Sequence, residues 1–198
     1  MTGKVRVGVL ISGRGSNMSA LVAAAKAEDY PARDRPGDRQ CAGRRRAGRP
    51  QRAEGVEAIA IESKPFGKDR QAHEQADGRG PARSGGAGGV PGGLAGFMRL
   101  LTPWFVDAWS GRLLNIHPSL LPDFKGLHTH ARAIAAGKEE AGCSVHVVTA
   151  ELDDGPILGQ ARVPVLAGDT EDTLAARVLK EEHRLYPQCL AQFCLELG

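Results

Sequence analysis

The sequence has no apolar stretch long enough to cross a bilayer. Runs such as Val9-Leu10-Ile11 fall far below the roughly 18 residues that a membrane helix needs, so neither a span nor a membrane partner is expected. Aromatic residues make up only 5% of the 198 positions, and the four cysteines, Cys41, Cys143, Cys189 and Cys194, show no paired C-x2-C spacing. A disulfide framework or zinc ribbon therefore has no support, and reduced thiols are expected. The N-terminal text MTGKVRVGVLISG enters a strand-like pattern at once, with no signal-peptide cleavage site and no transit-peptide composition. A cytoplasmic location follows as the default expectation. What remains is ordinary for a soluble chain: 41% hydrophobic and 25% charged residues, at a length that suits one domain.

Charge is placed unevenly. Pro31 to Arg52 holds eight arginines against Asp34 and Asp38, while the whole chain carries only +3. Outside that stretch the chain is mildly acidic. The same region, from Pro31 to Gly55, contains no Val, Ile, Leu, Met, Phe, Trp or Tyr, so its composition offers no core face and no strand. A second such stretch, Ala76 to Gly93, has eight glycines and one valine, a density that opposes a central strand.

Elsewhere the pattern is clear. KVRVGVLI (4–11) reads as a buried strand, SGRGSN as a turn, and Met18, Leu21, Val22 and Ala25 as one face of a helix opening near Ser16. Strand-like texture returns at Val56 to Ile61, at LLNIHP (113–118), at CSVHVVT (143–149) and at PILGQARVPV (156–165). A helix is expected from Thr170, a good N-cap followed by Glu171 and Asp172, with Leu174 and Val178 facing inward. Strands alternating with helices predict a single-domain α/β fold with a mostly parallel twisted sheet.

Three motifs bear chemistry. Gly13-Arg14-Gly15-Ser16-Asn17 lies between a strand and a helix, where free backbone N–H groups and the helix dipole suit a phosphate. An ordinary tight turn fits it equally well. Met18 occupies the place of a third fingerprint glycine, so a dinucleotide is not indicated. In Asn115-Ile116-His117-Pro118, strand alternation puts Asn115 and His117 on one face, at the end of a strand where open α/β sheets bind ligands. A capped strand end with a satisfied histidine is the plainer alternative. Glu151-Leu152-Asp153-Asp154-Gly155-Pro156 reads first as a solvated turn, unless one carboxylate faces His117 and supports its imidazole. His128 and His130 read as a polar helix start, and His146 as a hydrogen-bonded core histidine.

Together LISGRGSN, LAGFMRLL, GRLLNIHPSLLPDFKGLHTHARAI, SVHVVTAELDDGPILGQARVPV and GDTEDTLAARVLKEEHRLYP resemble the phosphoribosylglycinamide formyltransferase family over about two thirds of the chain, in the family's order. The resemblance implies a Rossmann-like formyltransferase fold and transfer of a formyl group from 10-formyltetrahydrofolate, as cosubstrate, to the amine of glycinamide ribonucleotide in purine synthesis, with no metal. Its catalytic trio maps onto Asn115, His117 and Asp153, its substrate-phosphate loop onto Gly15, Ser16 and Asn17, and its substrate-holding carboxylate onto Glu182. The folate pocket maps onto Met98, Arg99, Leu100 and Leu101 with the loop Ala150, Glu151, Leu152, Asp153 and Asp154, and its tail contact onto Arg70. Asp154 stands where the family often has a small residue. The resemblance also implies one domain over residues 1–198, with a phosphate-binding half (1–110) and a catalytic, folate-binding half (111–198). Small-molecule substrates are its expected partners, with a monomer or homodimer as the assembly and no nucleic acid. The alternatives are a methionyl-tRNA formyltransferase, a formyltetrahydrofolate deformylase, or a basic RNA-binding protein on the same scaffold.

The two aliphatic-free stretches fall where this family has a strand and helices, at unchanged overall spacing and with abrupt edges. Out-of-frame reading of GC-rich codons produces that composition. Residues near 31–53 and 76–93 are accordingly expected to reflect paired frameshifts in the nucleotide sequence, with a real basic insertion as the rival.

Overall fold

A computed structural model describes residues 5–11, 15–41, 69–76, 92–94 and 101–197. Among these residues one six-stranded sheet in the order β2-β1-β3-β4-β5-β6 forms the framework. Its strands are β1 (Val5–Ile11), β2 (Ala32–Cys41), β3 (Gly92–Leu94), β4 (Leu113–His117), β5 (Glu140–Val147) and β6 (Ile157–Pro164). The β1–β2, β1–β3 and β3–β4 pairs are parallel, and β4–β5 and β5–β6 are antiparallel. The helices are α1 (Ser16–Ala25), α2 (Arg70–Ala76), α3 (Pro103–Ala108), α4 (Thr129–Ala135) and α5 (Glu171–Leu197). Among the described residues no helix is long and apolar enough to cross a membrane.

The expected periodicities hold where aliphatic residues are present. Val7 and Val9 of β1 are buried, as are Met18, Leu21 and Val22 of α1, and Leu174 and Val178 of α5 are fully buried. α5 lies along α1, β5 and β6, and its Pro187 carbonyl accepts a 2.7 Å hydrogen bond from the Tyr30 hydroxyl. Burial of this apolar face at about 25 cal/mol per Å2 is the main term holding the helix to the sheet.

Two stretches whose composition opposes a strand nonetheless form one, as the reading of paired frameshifts expects. The Arg-rich stretch supplies β2, although its composition argued against a strand. Among the described residues β2 hydrogen-bonds to β1 alone, and its backbone is held by that ladder whatever its side chains. The ladder is interrupted at the Pro-Gly pair: Val7 pairs with Asp34 and Val9 with Arg39, so the segment holding Pro36 and Gly37 lies opposite Gly8 alone. Likewise the Gly-rich stretch ends in β3, a central strand between β1 and β4. A Cβ on Gly93 would stand 2.9 Å from the Tyr186 hydroxyl, so glycine here leaves the space that this ring occupies. The hydroxyl itself lies 3.2 Å from the carbonyl oxygens of both Leu94 and Leu114, tying the ends of β3 and β4 together. The strand texture at Val56 to Ile61 lies outside the described residues.

Candidate active site

Because β1, β3 and β4 run parallel, the turn after β1 and the end of β4 open at the same edge of the sheet, where such sheets place ligands. Asn115 and His117 share one face there. Ile116 packs into the core on the other. His117 is buried, and its Nε2 lies 3.0 Å from the Phe124 carbonyl oxygen. A carbonyl only accepts, so Nε2 carries a proton in every state that keeps this bond. Nδ1 is therefore the position that gains and loses a proton, and it faces Asp153 Oδ2 at 3.4 Å.

Asp153 reaches this point from the β5–β6 loop. Its backbone is left-handed, with φ of 49°, a conformation that Asp tolerates better than most residues. Oδ2 also accepts the Gly126 N–H at 2.9 Å. The loop is pinned by Gly155, where a Cβ would lie 1.7 Å from the Val147 carbonyl oxygen, and by a 2.9 Å bond from the Val147 N–H to the Pro156 carbonyl. Burial pulls His117 below its ordinary imidazole value, against the Phe124 carbonyl and the Asp153 charge, which favour the cation. Burial pushes Asp153 up, but His146, the Gly126 amide and the charge of His117 outweigh it and hold the carboxyl below its usual range. The site thus keeps a carboxylate beside an imidazole that is reluctant to hold its second proton.

His146, read from sequence as a core histidine, is indeed buried and hydrogen-bonded, but it also belongs to this cluster. The antiparallel register sets it opposite Asn115, with its Nε2 3.2 Å from Asn115 Nδ2 and 3.6 Å from Asp153 Oδ1. No spacing along the chain could reveal a cross-strand pairing. Phe124 and Gly126 were missed for a similar reason, since both act through backbone atoms.

At the N-terminus of α1, Gly15 adopts φ of 74°, a left-handed turn that suits glycine. Asn17 is buried, and its Nδ2 donates to Glu182 Oε2 at 2.6 Å, while its Oδ1 has no hydrogen-bond partner. Burial raises the Glu182 carboxyl above its ordinary value, against the Asn17 bond, which lowers it. The structure thus brings Gly15, Ser16, Asn17 and Glu182 together. Of the expected folate wall, Leu101 is half-buried at the entry to α3, and Met98, Arg99 and Leu100 lie outside the described residues, as do Gly13 and Arg14. Ala150, Glu151 and Leu152 are exposed on the loop, and Asp154 pairs with Lys125. Arg70 opens α2 on the surface, and α2 meets α3 through Glu74, which accepts the Thr102 N–H at 2.9 Å. His128 stands at the N-cap of α4 with a left-handed backbone and no side-chain capping bond.

At this sheet edge His117 faces the Asp153 carboxylate, and Asn115, on the same face, meets His146 beside it: an amide, an imidazole and a carboxylate, the kinds of group that a group-transfer site uses. Residues 5–190 match the formyl transferase family, and the chain belongs to that family. It is similar to the phosphoribosylglycinamide formyltransferase of Escherichia coli (strain K12), with 60% identity over 100 residues, covering 50% of this chain and 47% of the relative. It is similar also to the trifunctional purine biosynthetic protein adenosine-3 of Gallus gallus, 40% identical over 189 residues, 96% of this chain and 18% of that protein. The match thus spans about half the length of the Escherichia coli relative and less of the trifunctional one. Among solved structures, the phosphoribosylglycinamide formyltransferase from Brucella melitensis superimposes with a TM-score of 0.79 at 45% identity, covering 96% of both chains.

Proposed function

We propose that this protein transfers the formyl group of 10-formyltetrahydrofolate to the amine of glycinamide ribonucleotide, as a cytoplasmic enzyme of purine biosynthesis. The observation that carries the reading is the convergence of Asn115, His117 and Asp153 at the sheet edge that also presents Gly15, Ser16 and Asn17. In this reading the backbone N–H groups at the start of α1 receive the ribonucleotide phosphate. Glu182, aligned by Asn17, receives the substrate's polar groups. The orphaned Asn17 Oδ1 is a buried acceptor that a substrate donor would satisfy.

The folate is expected beside the 150–154 loop. Leu152 and Leu127 are 52% and 62% exposed next to the carboxylate, and apolar side chains presented in that way fit a flat heteroaromatic ring. When bound, the folate brings the formyl carbon on a nitrogen that can leave. The chain's own groups do the rest. The Asn115 amide donates to the formyl oxygen as negative charge builds there, joined by His117 Nδ1–H in the protonated ring that the Asp153 charge favours, and a water held by Asp153 takes the proton that the attacking amine sheds and passes it to the folate nitrogen as its bond to the formyl carbon breaks. Residues 1–110 then serve mainly the phosphate and residues 111–198 the transfer, in a monomer or homodimer.

A spectroscopic assay of folate deformylation, run with and without glycinamide ribonucleotide, tests the reading. Signal that requires both substrates, with formylated ribonucleotide as product, is expected. Folate turnover without the ribonucleotide would make the protein a deformylase instead.

A further inference from the structure

The ring of His146 has two fixed neighbours. Its Nδ1 stands 3.0 Å from the Val147 carbonyl oxygen, an atom that can only accept, so Nδ1 carries a proton. In the neutral ring Nε2 is then a bare lone pair. The group 3.2 Å away is the Asn115 side-chain amide, which therefore turns its Nδ2, not its Oδ1, toward the ring. Asp153 Oδ1 lies 3.6 Å from the same nitrogen, beyond hydrogen-bond distance.

A primary amide has two N–H donors. With one committed to His146, the other is left for whatever occupies the crevice. A proton on Nε2 would reverse this order: it would be drawn to Asp153, and Asn115 would have to present its carbonyl oxygen to the ring. The charged and titratable groups around the ring are Asp153 from the β5–β6 loop and His117 from β4. On β6 it is paired with Ile157, which is apolar.

We propose that His146 is a positioning residue that locks the orientation of the Asn115 amide, holding one N–H on its own Nε2 so that the second is aimed at the reacting carbonyl. The inference rests on the formyl-transfer reading above for its effect on rate, but its geometric half stands independently. In ligand-free protein, 15N-resolved histidine spectra are expected to show His146 with its proton on Nδ1 and none on Nε2. An Nε2–H tautomer or a doubly protonated ring would overturn the proposal whatever the enzyme does.

For the catalytic half, His146→Leu removes the acceptor and His146→Gln returns one near the position of Nε2. His146→Leu is expected to lower kcat by about 10-fold or more, short of the roughly 10² to 10³ that losing an oxyanion donor costs, with little change in KM for the ribonucleotide. His146→Gln should recover most of it. In an Asn115→Ala background, His146→Leu should cost nothing further, because the two residues act through one hydrogen bond. Equal losses in both backgrounds, or wild-type kcat in His146→Leu, would overturn the proposal. A wild-type enzyme that transfers no formyl group would sink the functional reading instead and leave the tautomer result standing.

Discussion

Asn17 Nδ2 and Glu182 Oε2 meet at 2.6 Å across 165 residues of sequence, joining α1 to α5 beside the turn at Gly15. The floor of the proposed ribonucleotide site is thus built from both ends of the chain. Glu182→Ala and Asn17→Ala are expected to raise KM for glycinamide ribonucleotide at least about 10-fold while leaving KM for the folate nearly unchanged, since losing a charge-assisted hydrogen bond costs on the order of 1.5 to 3 kcal/mol. Steady-state kinetics with each substrate varied in turn checks this.

Asn115→Ala and His117→Ala should each lower turnover by about 10² to 10³, the usual cost of removing one donor to a developing oxyanion. Both variants should retain a cooperative thermal transition. Near-normal turnover in either one would retire its assignment.

Gly155 offers a test of loop placement that touches no reacting group. Gly155→Ala puts a Cβ 1.7 Å from the Val147 carbonyl oxygen, so the loop must shift and carry Asp153 with it. A stability loss of about 2 kcal/mol is expected in denaturant titration, together with a fall in kcat larger than the fall in folded fraction.

Stability should depend on pH with a definite sign. His117 binds its second proton less readily in the folded chain than in the unfolded one. Its contribution is therefore complete above the ordinary value of about 6.5 and is lost as pH falls below it. Asp153 acts in the same sense at lower pH, below the usual carboxylate range. Glu182 acts in the opposite sense, because its raised carboxyl loses stabilisation as pH rises through its folded value. The melting temperature is expected to fall between pH 7 and pH 5, and to fall less in His117→Gln. Calorimetry at a series of pH values, with an equal slope in both proteins as the adverse result, decides it.

The residues near 31–53 and 76–93 can be checked directly. Intact mass and Glu-C peptides of the purified protein are expected to disagree with the Arg- and Gly-rich text, and peptides matching it would establish a true insertion. The skipped ladder at Pro36 and Gly37 is what a strand backbone paired with the wrong side chains would produce.

How much of this was legible depended on distance along the chain. Strand alternation alone placed Asn115 and His117 on one face, and helical spacing found Met18, Leu21 and Val22, because both signals are local. The turn text at Asp153 could not say whether its carboxylate reached His117, since that depends on a left-handed residue and on Gly155 packing against β5. His146 was misjudged in scope because only the β4–β5 register brings it to Asn115. β2 and β3 were hidden because their backbones are held by neighbouring strands while their own side chains supply no pattern.

Tyr186 gives that last point a consequence for how the protein is made. The three-residue strand at the centre of the sheet is fastened by a hydroxyl that belongs to the final helix. During ribosomal synthesis this fastening of β3 to β4 must therefore wait until a residue 92 positions further along than Leu94 has emerged. Until then the β3–β4 ladder stands alone there, and a chain arrested before Tyr186 would leave that middle strand without its clasp.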